Sequence, residues 1–173
     1  MARKARFLSE QVCYYVISTA SQRQDIFIED TDYRYYLRLV KKYKARFGVL
    51  VLGYCLLPGS AHLVAQFSQP QNISAFMQGV NQSFSLYFNR KHKSQGRVWK
   101  DRFRSIAIER AEDLFDCIKY VEFKPVKENF VLSPVEYSWS SCALRILGYH
   151  NGILDSNVPW GGGLSLPFRI SDS

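Results

Sequence analysis

These 173 residues predict an α+β fold, a ferredoxin-like sandwich in which an antiparallel sheet carries helices packed on one face. Three observations point there. Strand-like and helix-like segments follow one another in the order β-α-β-β-α-β-α, which makes two strand–helix–strand units. The two middle strands meet at a Pro58-Gly59 turn. Hydrophobic residues make up 47% of the chain, enough for the core of one domain and too many for a disordered segment.

Each element has its own signal. "QVCYYVIST" (11–19) is rich in β-branched and aromatic residues and reads as a strand. The stretch 29–48 reads as a helix: Asp30 or Thr31 caps it, acids open it, bases close it and Gly48 stops it. "VLVLGYCLLP" (49–58) is almost continuously apolar, as a central strand covered on both faces would be. "AHLVAQFS" (61–68) returns beside it. A long helix over 72–92 carries an apolar stripe of Ile73, Phe76, Met77, Val80, Phe84, Tyr87 and Phe88. "SIAIER" (105–110) alternates as a strand, and a helix over 111–123 should stop before Pro125. Residues 133–148 read as a turn leading into a last helix. This places one domain at 1–147 and an irregular C-terminal extension at 148–173.

The charge is strongly biased. There are 23 Lys and Arg against 15 Asp and Glu, a formal net charge of +8, which favours a polyanionic partner. The bias concentrates in "NRKHKSQGRVWKDRFRS" (89–105), where Arg90, Lys91, Lys93, Arg97, Lys100, Arg102 and Arg104 face one acid, Asp101. Trp99 and Phe103 interleave with these bases. Cations neutralise phosphates, and aromatic faces hold unstacked bases, so the stretch suits single-stranded or hairpin nucleic acid. A membrane-binding stretch would show an amphipathic helix here instead. No apolar run reaches the roughly 18 residues of a membrane span. The start, "MARKARFLSEQ", is basic without the apolar core of a signal peptide. Cys13, Cys55, Cys117 and Cys142 form no C-x-x-C pair, which argues against a zinc ribbon or redox motif. Free thiols in a reducing cytoplasm are the expectation.

The hairpin "LLPGSAHLV" (56–64) poses a separate question. Ser60 and His62 are two apart on a strand and therefore share a face, as paired metal ligands would. Alone, the pattern fits a metal site, the remains of one, or an ordinary strand histidine.

Several stretches together resemble a known family. "YYVISTASQRQDIF", "YCLLPGSAHLV", "FMQGVNQSFSLYFNRKHKSQGRVWKDRFRS", "CIKYVEFKPVKENFV" and "SPVEYSWSS" occur in order between about residues 11 and 147. The chain is similar to the single-tyrosine HUH transposases, most closely to the REP-associated tyrosine transposases of bacteria. The resemblance implies a small ferredoxin-like domain that binds DNA hairpins and cuts single strands through a tyrosine, leaving a 5′-phosphotyrosine link. In the family a divalent metal, Mg²⁺ or Mn²⁺, is held by a His-hydrophobic-His pair and by a third ligand one helical turn after the tyrosine. Carried onto this chain, the nucleophile falls on Tyr120 and one histidine on His62. The other histidine falls on Ser60 and the third ligand on Lys124, so the metal site is degenerate.

A lone imidazole, a weak hydroxyl ligand and an ammonium make a poor divalent site. No cofactor is therefore expected, with Mg²⁺ or Mn²⁺ only if a residual site survives. Lys124 could contact a phosphate directly in the metal's place. The leading expectation is a DNA-binding protein with nicking lost or weak. A working strand-transferase using Tyr120 is the alternative, and a regulatory or protein-interaction module, with an apolar patch around Trp160 and Phe168, is another. A monomer and a homodimer both remain open.

Overall fold

The computed structural model describes residues 12–155, apart from the side chain of Arg23. The N-terminal basic segment, Trp160 and Phe168 lie outside the described residues. Four strands, β1 (Val12–Thr19), β2 (Val49–Leu57), β3 (Ser60–Phe67) and β4 (Arg104–Ile108), form one sheet in the order β2-β3-β1-β4. All neighbouring pairs are antiparallel. The helices are α1 (Asp30–Phe47), α2 (Asn72–Lys91), α3 (Ala111–Lys127) and α4 (Cys142–Leu147). The α+β class and the strand–helix order are as the sequence predicts.

The expectation that the helices share one face is corrected. Helices α1 and α2 pack on Val16, Tyr54, Leu56, Leu63 and Phe67, while α3 packs on Cys13, Tyr15, Leu52, Cys55 and Val64 of the opposite face. The reason lies in β2, which is apolar on both sides and must be covered on both. A bulge between Val51 and Gly53 resets the alternation along β2. Leu52 and Gly53 both turn toward α3, and a Cβ on Gly53 would lie 3.4 Å from Ile118.

Two boundaries also differ. The N-cap of α1 is Glu29 rather than Asp30 or Thr31, because Asp32 accepts from the backbone N–H groups of Ile28 and Glu29, each at 3.0 Å. Helix α3 runs through Pro125 instead of stopping before it. The proline sits in the last turn, where its missing N–H costs a single ladder bond, and its carbonyl accepts from Phe130 at 2.9 Å. The predicted turn into a last helix is present, as a 3₁₀ turn at Pro134–Glu136 followed by the short α4. The chain between them spends its hydrogen bonds on β2, through Leu56 N to Trp139 O (2.8 Å) and Ser141 N to Tyr54 O (2.9 Å).

The described part of the C-terminal extension belongs to the fold. Ile153 is buried, Leu154 bridges Val51, and the Asp155 carboxylate takes the Val51 N–H (2.8 Å) and pairs with Lys44. These residues and 139–141 satisfy part of the outer edge of β2. No described helix is long and apolar enough to cross a membrane.

Candidate nucleic-acid interface

The face of the sheet under α3 carries the residues that the hairpin pattern singles out. In β3 the side chains of Ser60, His62 and Val64 point to this face, with Tyr15 of β1 opposite Val64 and Ile17 opposite His62. His62 is buried, and both its ring nitrogens are engaged. Nδ1 lies 2.7 Å from the Tyr15 hydroxyl and Nε2 lies 2.9 Å from the Ser60 hydroxyl. A neutral imidazole has one donor and one acceptor, and two hydroxyls, each able to play either part, satisfy both. Burial, helped by the nearby charge of Lys124, pushes the imidazole down to about 3, so it stays neutral at physiological pH. Burial also drives the Tyr15 phenol far above its usual range, with Tyr120 adding to the effect.

Helix α3 lays Tyr120 beside this chain of hydrogen bonds. The Tyr120 ring meets Tyr15 edge-on at 6.1 Å and is 43% exposed. Lys124 and Lys127 follow at one and two turns, the spacing that keeps residues on one helix face. Their ammonium groups lie 5.3 Å and 4.6 Å from the centre of the Tyr120 ring, within cation–π range. Lys124 also pairs with Glu128 at 3.5 Å. From the sheet, Arg104 lies opposite Ile17 at the start of β4 and is exposed on the same face. An accessible phenol thus stands beside Lys124 and Lys127, with Arg104 exposed on the same side of the sheet, an arrangement chemically suited to an anionic, phosphate-like group.

The same donor set does not fit a divalent cation. A histidine ligand needs a free lone pair, and a new bond to His62 would have to displace Tyr15 or Ser60. Ser60 is already the histidine's partner, and the third position holds a positive charge that repels the ion. Among the described residues, no group of three or more His, Cys, Asp or Glu side chains converges on one point.

Comparison with known proteins settles the lineage. The family model described as "Transposase IS200 like" matches residues 9–124, more than half of the chain. The chain belongs to the IS200-like transposase family. Among solved structures, the domain is similar to a REP-associated tyrosine transposase bound to a REP hairpin. That match has a TM-score of 0.67 and 16% identity, and covers 94% of this chain and 97% of the other. A candidate transposase from Deinococcus radiodurans R1 aligns with a TM-score of 0.50 and 15% identity, covering 70% of this chain and 96% of that one. At these identities the likeness is one of fold. No curated protein matches significantly.

The basic stretch of this IS200-like domain divides into structural and exposed residues. Trp99, expected to offer a stacking face, is instead 8% exposed in the core. It sits between Tyr36 and Phe84, and its indole N–H donates to the Asn81 carbonyl at 3.1 Å. A bridge from Trp99 to Ala20 folds the loop back onto the end of β1, and this pairing buries the ring. Lys91, also expected at the interface, is tied to Glu29 (3.1 Å) and to the buried Asp32 (2.9 Å). Arg90, Lys93, Arg97, Lys100, Arg102 and Arg104 are exposed. Sequence reasoning missed Tyr15 and Lys127. The i+7 spacing from Tyr120 would have found Lys127, once the helix was carried past Pro125. Tyr15 gave no signal short of strand register.

Proposed function

We propose that this IS200-like domain binds single-stranded or hairpin DNA across the Tyr120 face and the exposed cations beside it, with metal-dependent nicking lost or weak. One observation carries the reading: His62 is saturated by Tyr15 and Ser60, and Lys124 stands where a ligand would be needed. Without a divalent ion, the electrostatic task on this face falls to Lys124, Lys127 and Arg104. They can pair with a phosphate but cannot hold two of its oxygens in fixed geometry as a metal does. The net charge of +8 supports a polyanionic partner, and the REP-hairpin complex of a protein of the same fold supports DNA as that partner. Fluorescence anisotropy with labelled hairpin and single-stranded oligonucleotides across a salt series tests the reading. Binding should weaken steeply as salt rises. Absence of binding at low salt, or affinity indifferent to salt, would overturn it.

A second reading keeps the chemistry. Tyr120 is exposed and flanked by two ammonium groups, as a nucleophile awaiting a phosphate would be. In that case hairpin-flanked substrates should give a covalent protein–DNA adduct that disappears in Tyr120→Phe. Absence of any adduct in the wild type, with and without Mn²⁺, leaves the binding-only reading. The double change Ser60→His with Lys124→Asn should then create Mn²⁺-dependent nicking if the missing ligands are the only defect.

A further inference from the structure

Helix α1, on the side of the sheet opposite Tyr120, carries a row of cations to solvent. Arg34, Arg38, Lys41, Lys42 and Arg46 are all exposed. Steps of three or four residues link them, which keeps them along one side of the helix. From Arg34 to Arg46 the row is about 18 Å long, at about 1.5 Å per residue. It runs beside the segment that lines the outer edge of β2, where the Arg34 guanidinium lies 6.0 Å from the centre of the Trp139 ring. That is the edge of the sheet opposite β4.

Little inside the protein answers this charge. From Tyr33 to Lys100 the sequence holds no Asp or Glu. Among the described residues, Arg38, Lys41, Lys42 and Arg46 form no ion pair, and Arg34 has only the exposed Asp30 at 3.9 Å. Lys44, by contrast, is paired with Asp155 and belongs to the fold. The aromatic faces near the row are already occupied. Tyr35 stacks on Tyr87 at 3.8 Å and Tyr33 on Trp139 at 4.6 Å. Lys42 and Arg46 lie over the rings of Tyr43 and Phe47, each at 5.4 Å.

We propose that the α1 row is a second DNA contact, a track for the phosphate backbone of duplex DNA that is separate from the Tyr120 face. The inference rests on the DNA-binding reading above and divides the DNA between two surfaces. A row of cations without acids binds a polyanion and gains by releasing its counterions. Duplex DNA presents about one phosphate charge per 1.7 Å of its axis, so a straight helix laid along it meets several at once. Single strands are held through aromatic faces that stack their bases, and here those faces are taken. Contacts to phosphates alone fix position and read no sequence, so the track serves any duplex. A lipid surface fits less well. A helix lying on lipid carries large apolar side chains among its cations, and Ala45 is the one apolar residue exposed on α1.

The test uses the full chain and two labelled probes across a salt series: a blunt duplex and an unstructured single strand of equal length. Vesicles rich in phosphatidylserine serve as a third target. Wild type should bind both DNA probes. The triple variant Arg38→Gln, Lys41→Gln and Lys42→Gln keeps good helix formers at exposed positions, so the fold should hold, which circular dichroism checks. On the duplex, this variant should flatten the plot of log affinity against log salt by about 0.9 for each cation removed. On the single strand it should change little. Lys124→Ala with Lys127→Ala should do the opposite. A triple variant that binds the duplex with the wild-type slope makes α1 a solvated face and overturns the proposal. An equal loss on both probes overturns it too, as does wild-type binding to the single strand alone. In these three cases the DNA-binding reading stands. A loss confined to the vesicles, with duplex binding intact, assigns the row to lipid and also overturns the proposal. If wild type binds neither DNA probe at low salt, the DNA-binding reading itself fails, and this proposal falls with it.

Discussion

The two faces of the sheet each sit over a buried polar centre, and the two centres are built on opposite principles. Under α1 and α2, Asp32 is fully buried and charged. It is held by the backbone N–H groups of Ile28 and Glu29, by the Tyr87 hydroxyl (2.9 Å), by Lys91 and by His92 at 3.2 Å. Burial alone would favour the neutral acid, but these donors outweigh it and hold the carboxyl at about 2. Under α3, His62 is buried and neutral, and hydroxyls rather than charges complete it. A charged centre commits its neighbours, so Lys91 belongs to the scaffold. A neutral centre leaves Lys127 and Arg104 for an external anion, with Lys124 held only by the exposed Glu128 at 3.5 Å. The same residue types, lysine beside histidine, thus have different work on the two faces.

Breaking the charged centre should have the largest effect. Asp32→Ala leaves Lys91 and several buried donors without their acceptor and should cost about 3–5 kcal/mol, read from urea unfolding. If the loss is below about 1 kcal/mol, the centre does not hold α1 against α2 as described. The neutral centre should respond to pH instead. Its folded pKa, about 3, lies below the ordinary 6.5, so between those values the unfolded chain binds a proton that the folded one refuses. Stability is fully present above pH 6.5 and falls as the pH drops, by up to about 1.4 kcal/mol per pH unit. His62→Gln should flatten the curve between pH 6 and 4. Asp32 adds its own loss only lower, between its ordinary 3.8 and about 2. An unchanged slope in His62→Gln would mean that the imidazole is not the neutral, buried group described here.

Smaller effects sharpen the division of the lysines. Lys124→Ala with Lys127→Ala should weaken DNA binding several-fold, with little change in stability. The salt slope should fall by about one for each phosphate that is no longer neutralised. Lys91→Ala should do the reverse, lowering the melting temperature while leaving the salt slope intact. Equal effects of the two variants on binding would erase the distinction between scaffold and interface cations.

How much of this was legible in the sequence varies from residue to residue. The strands and the two long helices follow from periodicity and caps, because the backbone obeys local preferences there. The continuous apolar run of β2 already implied cover on both faces, and the one-face expectation conflicted with that reading. Pro125 misled because a proline rule written for helix interiors applies weakly in a last turn. Tyr120 and Lys124 were brought together by the family resemblance, and the structure holds both on one face of α3. Trp99 was misjudged because charge density along a chain says nothing about which ring a long-range bridge will bury.

By itself, then, the sequence determined the order of elements, the basic balance of the chain and the residue types at the family's site positions. These depend on local spacing and composition, which need no folding to read. Only the tertiary structure decided which cations are spent inside the protein and what satisfies His62. Each of these depends on partners far apart in the chain — 47 residues separate Tyr15 from His62 and 59 separate Asp32 from Lys91. A buried polar group takes whichever partner the packing brings within about 3 Å, and no local pattern encodes that choice.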